Sequence, residues 1–444
     1  MSHKVDQIYV TDCTYGSSAI ERRSGENADK ALGHSVRASS LDTRDIRKFY
    51  RAVGRAGCRA YQLYDDTPGD QVTILTALSK KVPRRLIVIP ELDGRQLVGQ
   101  ICHRQEDTAG RPRSYFGHLL ITDRKKREKG KTEAVWSVLD CLNLWYWDGW
   151  QQQDHDQISW DLEPLATLPV LSDSTQSIDD ALILSFLRDD ESTIKQHSNH
   201  GLLPERWQKM PLADRQKVAL LTIHNLLTAS DGKRNSVLLL VEPEMAIVLY
   251  YLAARLLPAC IHNKCSFSSY EAARGRIQTT IAASWFYDPV NVETTEHPRN
   301  VTVLNTLEPK QLEIEKDPAS YAEFMLKTLI HGGGWENVDP LLAAFDDANP
   351  TKSTDLLQLV KASTLAEDLL NDGPPVNPDD NLNDLFAPFK GKRIHRKADQ
   401  VPILCQAIQR AYERTPDDLS VLRDVWNKFS GNDPRRGWFY IALL

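Results

Sequence analysis

The sequence contains no phosphate-binding loop of the form GxxxxGK(S/T), so the chain is not expected to be an NTPase itself. It has no HExxH zinc helix and no GxSxG nucleophile elbow. Cysteines are few and scattered: the seven, at Cys13, Cys58, Cys102, Cys141, Cys260, Cys265 and Cys405, form an odd set without a CxxC pair. That pattern argues against a disulfide framework and suits reduced, mostly buried thiols in a cytosol. The opening Met1-Ser2-His3-Lys4-Val5-Asp6 lacks the apolar core and cleavage pattern of a signal peptide. The longest apolar run, from Met245 to Ala254, is stopped by Arg255 well short of a membrane span and predicts a buried helix. A cytoplasmic location with no membrane segment is the expectation. Charge of one sign is not in excess: 54 Lys+Arg against 60 Asp+Glu leave a net charge of −6. That balance argues against nucleic-acid binding by the chain as a whole and leaves only local basic patches. No fixed-period repeat imposes a solenoid.

What is present is an ordinary globular composition, 41% hydrophobic and 26% charged over 444 residues, long enough for two or three domains. The patterning predicts an α+β or α/β multidomain chain. Two mixed α/β domains, 1–163 and 178–310, are followed by an all-helical C-terminal region over 317–444, and the Pro-, Ser- and Asp-rich stretch 164–177 is a linker. In the first domain, strands are expected at 7–10 and 33–40, then a helix capped by Asp42 or Thr43 that presents Ile46, Phe49, Tyr50 and Val53. Apolar runs 85–90 and 96–101 flank Asp93-Gly94, a strong hairpin signal. Residues 132–139 have a helical pattern. In the second domain, helices at 178–187, 213–227 and from Pro243 to about Leu257 alternate with strands at 236–241, 264–270, 276–286 and 301–304. Beyond Asp317, Tyr321, Phe324, Met325 and Leu329 have helical spacing, followed by further helical stretches at 341–345, 356–370, 402–411 and 419–429.

Few constellations point to chemistry. Gly332-Gly333-Gly334 lacks a preceding strand and a lysine, so it predicts a helix C-cap and hinge, not a phosphate cradle. Cys260, His262 and Cys265 offer three metal ligands where a structural zinc site needs four. Cys13, His34 and His118 can be drawn as a thiol–imidazole site, but nothing in their spacing brings them together. The basic clusters 124–131 and 390–397 are expected to be solvated loops, with an acidic surface or nucleic acid as the alternative contact. The 142–150 segment is dense in aromatics, with Trp145, Tyr146, Trp147 and Trp150. Rings plugged into a core are expected, with a partner-binding patch as the alternative.

The stretch Arg113-Ser114-Tyr115-Phe116-Gly117-His118-Leu119-Leu120 predicts a strand. Tyr115, Gly117, Leu119 and Ile121 share one face of it, and Phe116, His118 and Leu120 the other. An imidazole between Phe116 and Leu120 needs a specific partner, so His118 and Tyr115 are expected to be structural. Three segments in order resemble the bacterial GTPase-associated protein one family. They are Tyr15-Gly16-Ser17 with Gly33-His34-Ser35-Val36-Arg37-Ala38-Ser39-Ser40, then the Tyr115–His118 motif, then Leu257-Pro258 with Ser266-Phe267-Ser268-Ser269-Tyr270. The resemblance covers roughly residues 5–310; the helical tail has no counterpart in it.

The resemblance implies a non-enzymatic adaptor or regulator, encoded with a small GTPase or related NTPase and acting with other proteins of a bacterial conflict or immune-like system. It carries over no catalytic residue, cofactor or metal. The residues themselves yield no catalytic set. Tyr115, His118, Phe267 and Tyr270 are the motif positions, and Trp145, Trp147, Trp150, Trp438 and Phe439 are the candidate anchors for a protein partner. The alternatives are a hydrolase with a Cys/His site and a nucleic-acid sensor using the basic patches. The Phe267–Tyr270 segment is expected to form a hairpin with 276–286 through a turn at 271–275, with Phe267 in the core.

Overall fold

The computed structural model describes residues 4–11, 36–41, 45–46, 48–49, 84–106, 112–123, 125–126, 132–133, 136–152, 161–167, 169, 171, 177–188, 203–231, 236–271, 279–284, 301–306, 308–309, 320–331, 333–348, 350, 352–357 and 360. Its strands are β1 (Val5–Thr11), β2 (Val36–Ser39), β3 (Arg85–Leu92), β4 (Arg95–Glu106), β5 (Pro112–Asp123), β6 (Lys125–Lys126), β7 (Thr132–Glu133), β8 (Ser236–Leu240), β9 (Phe267–Ser268), β10 (Ile281–Ser284) and β11 (Val301–Asn305). Its main helices are α1 (Val138–Asn143), α2 (Asp180–Arg188), α3 (Leu212–Ser230), α4 (Pro243–Arg255), α5 (Ser320–His331) and α6 (Trp335–Ala348). The result is a mixed sheet with helices, an α+β architecture.

Nine strands form one sheet in the order β11-β8-β10-β9-β3-β4-β5-β1-β2, and β6 pairs with β7 separately. The expected first and second domains are therefore not divided at 164–177: their strands share a sheet. Part of that stretch is itself paired, since Leu165 N–H donates to Val5 O at 2.8 Å and Val5 N–H to Leu165 O at 3.1 Å. Residues 1–255 with 262–313 make one compact unit, and 256–261 with 314–444 make the second.

The antiparallel half follows from local sequence. Asp93 (φ 55°) and Gly94 (φ 76°) both occupy the left-handed region, the two-residue turn that matches strand twist. It sets Val88 opposite Val98 and Ile87 opposite Gly99. Along β5, alternation does what the sequence predicts. Tyr115, Leu119 and Ile121 pack with Ile8, Val10, Ile87, Leu97 and Tyr270, and with Ile46 and Phe49 from the helical residues 45–46 and 48–49. Phe116 and His118 face the other side. Helix α1 starts later than its pattern suggests. Residues 132–133 are strand, and Ser137 caps the helix in a reciprocal capping box with Asp140. The cap supplies partners to N–H groups that an earlier start leaves bare.

In the other half β9, β10, β8 and β11 are parallel. The hairpin expected between Phe267–Tyr270 and 276–286 is thus not formed. β9 and β10 run in the same direction, and a parallel pair requires a crossover longer than a tight turn. The antiparallel neighbour of β9 is instead β3, with Ile87 opposite Ser268 and Val88 opposite Phe267. Phe267 is buried, as expected, with its ring centroid 3.9 Å from that of Tyr250 on α4. Residues 245–254 of α4 are all buried, in line with their apolar run, and Arg255 clamps Asp180 through two bonds of 3.0 and 2.9 Å.

The two-residue β9 is the seam between the halves, and side chains extend the join. Leu86 N–H donates to Ser269 Oγ at 2.8 Å, Ser269 N–H to Leu86 O at 2.9 Å, and Glu271 N–H to Ala283 O at 2.6 Å. Arg85 Nε donates to Ser268 Oγ at 2.9 Å, and Arg85 Nη2 is ion-paired with Glu271. Both charged side chains are within 3% of full burial.

In the second unit Gly333 (φ 99°) and Gly334 (φ 84°) lie between α5 and α6 with left-handed backbone, in line with the predicted helix C-cap. Tyr321 Oη donates to Leu256 O at 2.8 Å. The helices expected at 402–411 and 419–429 lie outside the described residues.

Gly94→Ala introduces a Cβ that meets nothing within 4 Å, so its cost is purely conformational. Urea denaturation is expected to show a loss of about 1 kcal/mol. Glu271→Ala strands a buried guanidinium and is expected to cost about 3–5 kcal/mol, while the double change Arg85→Met with Glu271→Leu recovers most of that loss. A single variant as stable as the parent contradicts the seam's dependence on the pair.

Candidate functional site

Two polar centres lie inside the first unit. The first surrounds His118 on β5, whose register with β1 places it opposite Tyr9. The imidazole is 1% exposed. Gln151 N–H donates to Nδ1 at 3.1 Å, so the ring proton sits on Nε2 and is donated to Gln7 Oε1 at 2.9 Å. Gln7 Nε2 in turn donates to Glu163 O at 2.8 Å, and Ser40 Oγ accepts Gln7 N–H at 2.9 Å. Tyr9, Trp147 and Trp150 enclose the ring at centroid distances of 4.8, 5.9 and 5.2 Å. Burial without a carboxylate partner lowers the His118 pKa from 6.5 to about 3. Both nitrogens of this neutral imidazole are engaged in the frame.

The other predicted residues take up varied places. Tyr115, Phe267 and Tyr270 are buried. Trp145 and Trp150 are buried too, so neither presents a ring to a partner; Trp147 is half-buried. Trp145 carries the half-buried Arg84 guanidinium over its ring at 5.0 Å. Trp438, Phe439, Cys13, His34 and the cluster 390–397 lie outside the described residues. His262 Nδ1 bonds Ala254 O at 2.6 Å. Burial pushes the thiol of Cys265 up to about 12 and that of Cys102 up to about 11, far from a reactive thiolate. Among the described residues no three His, Cys, Asp or Glu side chains form a metal-binding group.

The second centre occupies the carboxyl ends of the parallel strands, and sequence reasoning missed it. Near β8 and β11, Arg206 forks onto Glu242 at 3.0 and 2.9 Å and donates to Thr306 O at 3.0 Å. Trp207 Nε1 donates to Glu242 at 2.8 Å. At the seam, Arg85, Ser268, Glu271 and Ser284 are all buried, and Arg85 bonds Ser268 and Glu271. Burial raises the Glu271 carboxyl pKa against the opposing pull of Arg85. The sequence signal was faint: an arginine heading the apolar run Leu86-Ile87-Val88 and a glutamate after Tyr270 look like ordinary solvated residues. Only their pairing across the sheet brings them inside.

His118→Ala orphans Gln7 and the Gln151 N–H and is expected to cost about 1–3 kcal/mol. A pH effect accompanies the neutral ring. Between pH 6.5 and about 3 the unfolded chain binds a proton that the folded chain refuses, so this contribution to stability falls as pH falls through that window. Denaturant titrations of wild type and His118→Gln are expected to diverge there by up to about 1.4 kcal/mol per pH unit, with the wild type steeper. Parallel profiles contradict the assignment.

Comparison with known protein families, with characterised proteins and with solved structures gave no match.

Proposed function

We propose that the chain is a non-enzymatic adaptor or regulator that binds a small GTPase or related NTPase, together with other proteins of a bacterial conflict system. The observation supporting this reading is where the motif residues sit. Tyr115 and Tyr270 come from distant segments yet belong to one core cluster. His118 and Phe267 are buried and spent on the frame. Catalytic residues need access to substrate, and groups held in this way have none. These motif residues thus belong to the scaffold, which leaves the surface for partner contacts. For the hydrolase reading His118 offers no free nitrogen, while Cys13 and His34 lie outside the described residues.

The test is to mix the purified chain with the GTPase or NTPase encoded beside it, in the nucleotide-free, diphosphate-bound and triphosphate-analogue-bound states. Size-exclusion chromatography is expected to show a complex in at least one state and a different amount of it in another. No association in any state sinks the proposal.

A further inference from the structure

The carboxyl ends of parallel strands are where open α/β sheets bind ligands, at the place where successive connections leave in opposite directions. This sheet has such a place. From β8 the chain skips β10 to reach β9, and from β10 it skips β8 to reach β11. The two strands whose connections oppose each other, β8 and β10, are neighbours, and β9 and β3 lie next to them.

The register determines which side chains meet there. Ser268 stands opposite Ile87 on one side and Ala282 on the other. Alternation then puts Arg85 and Ser284, each two residues along its strand, on the same sheet face as Ser268. Arg85 lies at the amino end of β3, which is antiparallel, and so reaches the carboxyl end of β9; Ser284 ends β10. Both are fully buried.

Their hydrogen bonding is incomplete. Arg85 spends Nε on Ser268 and Nη2 on Glu271, but Nη1 has no partner among the described residues. Ser284 Oγ has none either. At the same end Arg206 is bonded to Glu242 and Thr306, whereas the unmet Arg85 Nη1 and Ser284 Oγ lie on the β3–β9–β10 side. Leaving a buried donor bare is costly, the more so on a charged group. A guanidinium N–H and a hydroxyl on one face call for an acceptor with several lone pairs, and an anion suits a guanidinium best.

We propose that Arg85 Nη1 and Ser284 Oγ form a subsite for the oxyanion of a small ligand, a phosphate or a carboxylate group, at the carboxyl ends of β9 and β10. Glu271 positions the guanidinium by holding its other edge, and Ser268 holds Nε. The subsite does not depend on the adaptor reading: it stands on the seam alone.

Calorimetric titration of the full chain with inorganic phosphate, and separately with acetate, at constant ionic strength is the test. Saturable binding of at least one anion is expected, and the one that saturates identifies the ligand class. Ser284→Ala removes only a hydroxyl without a partner, so the variant folds. It is expected to weaken that binding about tenfold, the loss of one charge-assisted hydrogen bond. Arg85→Lys keeps the charge, loses the fork and is expected to weaken it further. If that variant does not fold, Ser284→Ala decides alone. No saturation with either anion overturns the proposal, and so does anion binding that Ser284→Ala leaves unchanged.

Discussion

A guanidinium enclosed between two strands that run in opposite directions holds this sheet together. β9 contributes two residues to the ladder, too few to join an antiparallel half to a parallel half by backbone bonds alone. Arg85 closes the gap by gripping Ser268 and Glu271, and the Ser269 hydroxyl takes the Leu86 N–H. Burying both charges cancels much of what their attraction provides. The pair's larger effect is on register, because only one alignment of β3 against β9 leaves the two charges paired. A slip by one residue sends Arg85 to the opposite face and away from Glu271.

The two faces of the sheet then serve different ends. One is filled by the aliphatic and tyrosine cluster that includes Tyr115 and Tyr270. The other is capped beside β5 by Trp147 and Trp150, with His118 bonded among them. A neutral, doubly bonded imidazole in such a place acts as a polar rivet. It links β5 to β1, to Gln151 and, through Gln7, to Glu163. Among the described residues His118 most invites a catalytic reading, yet both of its nitrogens are engaged and leave it little freedom to perform chemistry. Two buried polar atoms that lack partners among the described residues, Arg85 Nη1 and Ser284 Oγ, sit at the seam, on residues that no motif singles out.

Much of the local structure was legible in the chain. Asp93-Gly94 between two apolar runs announced its turn, the run from Met245 to Ala254 its buried helix, and the alternation around His118 its two faces. Each depends on residues within a few positions of one another. The errors arose where partners are distant. Of the strand expected over Phe267–Tyr270 only Phe267–Ser268 forms, and with other neighbours, since β3 lies far earlier in the sequence and offers the antiparallel edge expected of a local hairpin. The division into two domains failed for the same reason: a polar, proline-containing stretch looks like a linker whether or not the strands on either side of it pair.

By itself, then, the sequence determined most of the strands and helices among the described residues, where the tight turn falls and which side chains share a face. Those properties follow from steric limits and periodicity, which act over short range. The tertiary structure alone decided that both halves form one sheet, that β9 and β10 run parallel, and that Arg85, Glu271 and Ser284 are inside. Strand pairing is chosen by the apolar area and hydrogen bonds satisfied across the whole sheet, and an arginine at the head of a strand becomes a buried group only once its distant partners have arrived.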